Sequence, residues 1–354
     1  MSWDNYDQVL QQLDQLLQAE ERTWKSGERE RVAVDAGRKN FGKGGKCWYR
    51  LHTFAPRTST RRFIVGAYGS WKSGETFKVD WDREGLSAEA LEAYRVQQEQ
   101  ARERARLEAE EAAAYAAMTA TELWTQAARA GTSTYLQRKQ VEAEACRFLA
   151  ERIVLGRRDP TDKPIYLPAG TLVVPLIRYD KPREDALRGL QFIKPDGGKV
   201  FTEGFAKAGC SVRLGEVDDS TAVILLCEGY ATGLTIRMAT GRRWPVFVAL
   251  DAYNLAWVVE ILRDVYPSTH LLVCADDDWK TKDHDGPNPG RRKAWKAARV
   301  TSGCEIVWPA FDPNLRQLKD TDFNDLQLRE GISEVERQLL PVLGVIETGD
   351  CRGR

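Results

Sequence analysis

The chain has 354 residues, with 52 Lys plus Arg balanced by 52 Asp plus Glu, so its formal net charge is zero. This balance excludes a chain that is basic overall, and any surface that binds nucleic acid must therefore be local. No apolar run is long enough to cross a membrane, and the N-terminal MSWDNYDQVL is too polar for a signal peptide. A cytoplasmic protein without a membrane partner is expected.

The seven cysteines are scattered, without a C-x-x-C pair, and there are only three histidines. This pattern is typical of reduced thiols in a cytosolic protein and indicates neither a disulfide framework nor a zinc ribbon.

Residues 1–86 predict a small α+β module. A helix is expected over residues 4–25 from its apolar spacing, followed by a hairpin of CWYRLHTF and RRFIVGAYG. Basic residues surround the hairpin: Arg38, Lys39, Lys43, Lys46, Arg50, Arg57, Arg61 and Arg62. Aromatic residues interleave with them: Trp48, Tyr49, Phe63, Tyr68 and Trp71. Two interpretations are open: the rings and cations grip a single-stranded template, or the rings pack the hairpin against the helix.

Residues 87–130 are rich in Ala, Glu and Arg and contain no Pro before the domain that follows. They predict a long charged helix that links two modules. A sustained apolar heptad is missing, so a coiled coil is not predicted.

The remainder of the chain predicts an α/β fold in two parts, residues 131–218 and 219–345. The first part contains the strand candidates TLVVPLIR and GLQFIKPDG. In the second, four apolar segments are expected to be strands: 222–227, 245–250, 270–275 and 304–309. Helical patterns separate or follow them at 230–241, 254–264 and 290–302. Continuous apolar strands that alternate with helices predict a Rossmann-like parallel sheet with helices on both faces.

Acidic residues follow the predicted strands. Glu228 follows the first strand, Asp251 the second, and Asp276, Asp277 and Asp278 the third. Ligands of open α/β sheets bind at the carboxyl ends of the strands, where these carboxylates are expected to converge. Clustered carboxylates repel one another unless a cation neutralises them, and a purely oxygen donor set favours Mg²⁺ or Mn²⁺.

Two features next to these carboxylates point to phosphate chemistry. Gly229 is expected to allow a backbone turn, and the helix after it would direct its N-terminus, which favours anions, at the same edge. The DTDFNDL segment contributes Asp322 and Asn324, either as a helix cap, which is the favoured interpretation, or beside the metal. A metal, a helix N-terminus and basic side chains are the equipment of phosphoryl or nucleotidyl transfer.

EGYATG followed by ADDD resembles the Toprim domain, which is shared by bacterial-type primases, topoisomerases and some nucleases. Six further segments are similar to motifs of the Toprim primases of phages and conjugative plasmids, in order over residues 131–330: YLQRKQV, LVVPL, LQFIKPDGGK, ALDAYNL, NPGRRKAWKAA and TDFNDL. The resemblance implies a DNA primase that synthesises short primers on a single-stranded DNA template from nucleoside triphosphates.

The same resemblance implies roles for individual residues. Glu228, Asp276 and Asp278 would be the catalytic, Mg²⁺-binding carboxylates, and Glu228 would act as a ligand or as the base for the primer 3′-hydroxyl. Gly229, Asp251, Asp322 and Asn324 would lie next to them. Cations expected to contact nucleotide or nucleic acid are Lys199, Arg178, Arg291, Arg292 and Lys293, with Lys207 as a further candidate. Each of these cations has an alternative interpretation as an ordinary solvated surface charge.

The sequence departs from the family in three respects. It has no zinc ribbon and no P-loop, so a separate replicative helicase is the expected partner. Lys199 also stands alone where members of the family often carry a lysine–arginine pair. Two other functions stay open: a Toprim nuclease that cleaves phosphodiesters with the same carboxylates, and a non-catalytic nucleic-acid-binding replication protein.

Overall fold

The computed structural model describes residues 3–56, 60–71, 75–83, 86–156, 164–283 and 286–348. Arg57 lies outside these residues. The chain divides into two compact units, Met1–Leu107 and Glu108–Arg354, which are described separately below.

The first unit is an antiparallel sheet with a helix on one face. The helix is α1 (Tyr6–Ala19), and a short 3₁₀ turn (Arg29–Arg31) follows it. The strands, in chain order and in spatial order, are β1 (Arg38–Phe41), β2 (Cys47–Phe54), β3 (Phe63–Ser70) and β4 (Thr76–Lys78). The apolar side of α1 packs on the sheet in a core that includes Leu13, Tyr49 and Ile64.

Sequence patterns find the central hairpin of this sheet but not its edges. The predicted hairpin is confirmed as the β2–β3 pair. Strands β1 and β4 are exposed along most of their length and carry little of the alternation that marks a strand. The predicted helix over 4–25 is wrong at its end, because Glu21 adopts a left-handed φ of 54° just after Ala19.

A long helix, α2 (Ala88–Gln126), confirms the charged helix predicted over 87–130. Near its start, Tyr94 packs with Phe54 and Trp81 of the first unit. Near its end, Ala120 is buried in a core cluster of the second unit. Most of the residues between them are exposed, which agrees with their charged composition.

The second unit begins with helix α3 (Thr134–Lys139) and an antiparallel subdomain. Its strands are β5 (Arg147–Phe148), β6 (Ile153–Leu155), β7 (Ile165–Leu167), β8 (Leu172–Ile177), β9 (Leu187–Ile193) and β10 (Lys199–Phe201). The order β10-β9-β8-β5 forms one sheet, and β6 pairs with β7. The two strands predicted here are confirmed as the β8–β9 pair.

A five-stranded sheet forms the rest of the second unit. Its elements, in chain order, are β11 (Val212–Leu214), β12 (Val223–Cys227), α4 (Tyr230–Ala239), β13 (Val246–Val248), α5 (Leu255–Val265), β14 (His270–Cys274), the small hairpin β15 (Lys282–Asp283) and β16 (Gly286–Pro287), α6 (Pro289–Ala298), β17 (Cys304–Val307), α7 (Phe323–Glu330) and α8 (Ile332–Thr348). The strand order is β11-β13-β12-β14-β17. The four predicted strands are parallel, whereas β11 is an antiparallel edge strand that the sequence patterns miss.

Strand β12 is central and buried on both faces. Its residues alternate between two core clusters: Leu225 and Cys227 face one, and Ile224 and Leu226 face the other. A strand covered on both sides needs apolar residues at every position, which explains the uninterrupted run before Glu228.

The first helix after β12 packs closely on the sheet because of one glycine. A Cβ at Gly233 would lie 2.7 Å from Val248 Cγ2 and 3.1 Å from Leu214 Cδ1. Gly344, in α8, provides a contrast, because a Cβ there would meet nothing within 4 Å.

We therefore predict opposite effects for two glycine-to-alanine changes within helices. Gly233→Ala should lower the free energy of unfolding by about 1–3 kcal/mol, since overpacking outweighs the gain in helix propensity. Gly344→Ala should raise it by about 0.5–1 kcal/mol, since alanine restricts the unfolded chain. Equilibrium urea denaturation measures both, and equal effects would contradict the packing described.

Candidate active site

The carboxyl ends of β12 and β14 place acidic residues side by side. The two strands are adjacent and parallel, and Leu226 pairs with Val273. Continuing both strands from this pair brings Glu228 and Asp276 to the same edge of the sheet. The predicted convergence of Glu228 and Asp276 is therefore a direct result of strand order and register.

Glu228 and Asp276 each carry a buried oxygen without a hydrogen-bond partner among the described residues, Oε1 and Oδ1 respectively. Burial, together with the charges of Asp278 and Asp251, raises the pKa of Glu228 to about 8, while the charge of Lys293 acts in the opposite direction. Burial also raises the pKa of Asp276 well above its ordinary value, with Glu228 as the next contribution. The two carboxylates are thus desolvated and mutually repelling.

Asp278, the third predicted ligand, lies in the loop after β14, and its carboxylate contacts the N-terminus of α6. Its Oδ2 accepts a hydrogen bond of 2.9 Å from the backbone N–H of Gly290. A Cβ at Gly290 would collide with the carbonyl oxygen of Asp276 and lie 3.0 Å from Asp278 Oδ2. Glycine at this position allows the helix N-terminus to approach both acidic residues closely.

Asp277, between the two predicted ligands, has a different environment. Its carboxylate is buried and accepts hydrogen bonds from Asn288 Nδ2 at 2.6 Å and from Arg316 Nη1 at 2.9 Å. The Nε of Arg291 lies 2.7 Å from Asp277 Oδ1. Asp277 is therefore a structural anion that holds this loop, and the structure explains why it differs from its neighbours.

Asp251 and the cations near it form a separate group of ion pairs. Lys207 pairs with Asp251, and Arg178 forms a bidentate pair with Asp180 through contacts of 2.8 and 2.6 Å. Arg178 also donates to the carbonyl oxygen of Ala208. The hydrogen bonds of Arg178 are thus directed to Asp180 and Ala208. Asp251 is close enough to Glu228 to raise the pKa of that carboxyl.

The DTDFNDL segment forms a helix cap, as the favoured interpretation predicted. Asp322 is the N-cap of α7 and forms a reciprocal capping box with Asp325. Its Oδ2 also accepts a 2.9 Å hydrogen bond from Thr232 in α4. Asn324 is fully buried and donates to the carbonyl oxygen of Lys139 and to Thr235. The segment thereby fixes α4 and α7 against each other beside the acidic edge.

Three lysines lie close enough to these carboxylates to affect them electrostatically. Lys199 begins β10, and burial of its ammonium lowers its pKa while Asp322, Asp276 and Glu228 act in the opposite direction. Lys139 Nζ lies 3.7 Å from Asp325 Oδ1. Lys293 lies with its ammonium 3.6 Å from the ring centroid of Tyr253.

Of these lysines, sequence reasoning missed Lys139. It lies within YLQRKQV, a segment already noted for its resemblance, but no pattern linked it to carboxylates far along the chain. The other two were predicted, and the structure brings them to the acidic edge.

The two arginines at the start of α6, which were predicted to contact nucleotide or nucleic acid, make contacts within the protein. Arg291 pairs with Asp277 and its guanidinium lies 4.2 Å from the ring centroid of Trp308. Arg292 donates to the carbonyl oxygens of Pro287 and Gly286.

The chain turns from β12 into α4 at Gly229, but this turn does not depend on the backbone freedom of glycine. This residue has φ −97° and ψ 145°, an extended conformation open to any residue, so a glycine-specific turn is not formed there. What limits this position is space, since a Cβ would lie 3.0 Å from Thr232 Oγ1.

The donor set fits a hard divalent cation by its chemistry. The buried carboxylate oxygens have no hydrogen-bond donors among the described residues, and burial together with neighbouring negative charges raises the pKa values of their side chains. A bound cation would neutralise such a site. As they stand, the described residues do not include three acidic, histidine or cysteine side chains gathered in a geometry that would hold a metal ion. Within the same described part of the chain, no helix is long and apolar enough to cross a membrane.

Comparison with known proteins assigns this part of the chain to a family. Residues 223–333 match the model described as "Toprim domain". The second unit therefore contains a Toprim domain, whose sheet and acidic edge are those described above.

Two curated relatives narrow the comparison further. A DNA primase TraC from Escherichia coli is 35% identical over 126 residues, which are 35% of this chain and 12% of TraC. A second DNA primase TraC from the same organism is 28% identical over 292 residues, which are 81% of this chain and 18% of that protein. The chain thus contains a Toprim domain and is similar in sequence to TraC, and it spans less than a fifth of the length of either relative.

Among solved structures, the primase of Aquifex aeolicus (zinc-binding and RNA polymerase domains) is similar with a TM-score of 0.40 and 13% identity, covering 96% of this chain and 85% of that one. A TM-score at this level is too low to support a conclusion about this protein.

Removing the charge of Asp276 and removing that of its neighbour Asp277 should have different effects on the stability of the protein. In chelator, Asp277→Asn should lower the free energy of unfolding by about 3 kcal/mol, because Arg291 and Arg316 lose their buried anion. Asp276→Asn should leave stability unchanged or raise it, because it removes a desolvated charge that repels Glu228. Thermal unfolding of both variants tests this prediction. A larger loss of stability in Asp276→Asn than in Asp277→Asn would contradict it.

Proposed function

We propose that this chain is a DNA primase-type nucleotidyltransferase that makes short primers on single-stranded DNA from nucleoside triphosphates. The observation that carries the proposal is the pair of buried, unpartnered carboxylate oxygens on Glu228 and Asp276, at the ends of adjacent parallel strands. An anionic site of this kind needs a cation, and the Toprim domain around it is related to a protein called a DNA primase.

Glu228, Asp276 and Asp278 would hold Mg²⁺ or Mn²⁺, which when bound would stabilise the negative charge of a triphosphate undergoing displacement. The cation would also favour the ionised carboxylates, whose pKa values burial otherwise raises. Asp278 is oriented by its hydrogen bond from the Gly290 N–H.

The lysines around the acidic edge would bind the triphosphate. Lys199 is exposed as a whole residue, while its ammonium is partly desolvated and lies in the electrostatic environment of Asp276 and Glu228, so it would meet phosphate oxygens next to them. Lys139 and Lys293 are the further cations of this group. Glu228 has two candidate roles, as a cation ligand or as the base that takes the proton of the primer 3′-hydroxyl.

The other predicted cations have weaker support as nucleotide contacts. Arg178 and Arg291 are ion-paired with Asp180 and Asp277. For these two arginines we propose a positioning role: they keep the loops at the carboxyl ends of the strands in place. A single-stranded template and a separate replicative helicase remain proposed partners.

The direct test is primer synthesis on circular single-stranded DNA with labelled ribonucleotides and Mg²⁺. We predict that Glu228→Gln lowers the rate of synthesis by at least about a hundredfold, a loss typical of removing a catalytic acid–base group. The matched control is Glu305→Gln, in β17 of the same sheet, where the carboxylate lies near His270. This control should keep wild-type activity.

The same assay separates the alternatives. Metal-dependent cleavage of the template without synthesis, lost in Glu228→Gln, would assign the carboxylates to a nuclease. Binding of DNA without synthesis or cleavage, and without any effect of Glu228→Gln, would leave a non-catalytic binding protein. Either result would contradict the primase proposal.

A further inference from the structure

One face of the sheet in the first unit carries a row of cations. Strand register places Arg38 opposite Arg50, Arg50 opposite Ala67, and Ala67 opposite Lys78. Residues opposite each other in a sheet point to the same face, so three cations lie across all four strands, a width of about 14 Å at the usual strand spacing. Ala67 leaves the middle of this row free of a large side chain.

The next row on the same face is aromatic and polar. It contains Asn40, Trp48, Gly69 and Thr76 in register. Trp71, just after β3, lies over this row: its ring centroid is 5.7 Å from that of Trp48, and its Nε1 donates to Asn40 Oδ1 at 2.9 Å.

The tryptophan ring is held in place yet accessible. Arg38 lies 4.7 Å from the centroid of Trp48 and 5.3 Å from that of Trp71. Trp48 is buried, whereas Trp71 keeps 49% of its surface exposed. A ring fixed by a hydrogen bond and a cation, with half of its surface open, is suited to stack on a planar ligand at low entropic cost.

The charge of this face is not neutralised within the unit. Arg38, Arg50 and Lys78 form no ion pair with any residue that the structure describes. At its other end the same face is covered, since Phe54 and Phe63 pack against Trp81 and Tyr94. The opposite face is covered by α1, where Tyr49 and Tyr68 pack. The cationic and aromatic rows therefore form a localised surface on a chain of zero net charge, and the three cations of this surface have no ion-pair partner among the described residues.

We propose that this surface, formed by Arg38, Arg50, Trp71 and Lys78, binds single-stranded nucleic acid. Phosphates would contact the cations, and a base would stack on Trp71. A duplex would not offer a free base face for this ring, and an acidic peptide would make no use of it, so charge and stacking together favour a single strand. This binding needs neither metal nor the acidic edge of the second unit, and it holds whether that site makes or cuts phosphodiesters.

The test is fluorescence anisotropy of a labelled oligothymidylate with the full chain in EDTA, over a range of salt concentrations. Arg50→Gln/Lys78→Gln should weaken binding and reduce the slope of log K against log salt by about 1.4, since each phosphate contact on a single strand contributes about 0.7. Trp71→Ala should weaken binding about tenfold and leave the slope unchanged, because stacking carries no charge.

Matched controls lie on the opposite face and beside α1. Lys39→Gln/Lys43→Gln removes two exposed lysines of the same unit, and Phe77→Ala removes a ring that is 40% exposed on the α1 side. Both should keep the wild-type affinity and salt slope. The proposal would be overturned if the controls lost as much affinity as the test variants, or if the salt slope of the Arg50 and Lys78 variant were unchanged. Displacement of the oligonucleotide by polyglutamate at equal concentration would also overturn it.

Ultraviolet crosslinking of the wild-type chain to the same oligonucleotide provides a reading that does not depend on the folding of any variant. Peptide mapping should find the crosslink in the segment that contains Trp71. Crosslinks confined to the second unit would overturn the proposal. If the chain binds the oligonucleotide but synthesises no primers, the result contradicts the function proposed for the acidic edge and leaves the proposed binding surface supported.

Discussion

Electrostatic repulsion between two buried carboxylates is the constraint on which the second unit depends. Glu228 and Asp276 follow adjacent parallel strands, and burial raises the pKa of both. The charge of Glu228 raises the pKa of Asp276 further, and the charges of Asp278 and Asp251 act on Glu228. Folding the chain without a cation places this unfavourable charge at the edge of a well-packed sheet. The rest of the domain supplies the rigidity that holds the carboxylates there.

That rigidity comes from three kinds of contact. Strand β12 is buried on both faces, so the backbone before Glu228 cannot shift without disturbing two cores. Asp277 anchors the loop after β14 through Arg316, and its backbone N–H donates to the carbonyl oxygen of Thr321 at 2.7 Å. Asp322 ties α7 to α4 through Thr232. Asp277 and Asp322, which lie near Glu228 and Asp276, are thus neutralised or hydrogen-bonded.

The sequence predicted the parts of this arrangement that depend on local pattern. Four apolar runs with acidic residues at their ends predicted the parallel strands, and parallel strands brought Glu228 and Asp276 to one edge. Edge strands β1, β4 and β11 were missed because their exposed or short segments lack periodicity. The roles of Asp277 and Lys139 were missed because their partners lie far away in the chain. The sequence did not show that space, and not backbone conformation, limits Gly229, because that limit comes from its contact with Thr232 in the folded chain.

Calorimetric titration of the full chain with Mn²⁺ tests the central claim most directly. Because the pKa of Glu228 is raised to about 8, cation binding should release protons, and affinity should rise from about pH 6 to about pH 8. Glu228→Gln should abolish this binding, whereas Glu305→Gln should retain it. Mn²⁺ binding that is unaffected by Glu228→Gln, or that releases no protons, would contradict the account of a cation held by these two carboxylates.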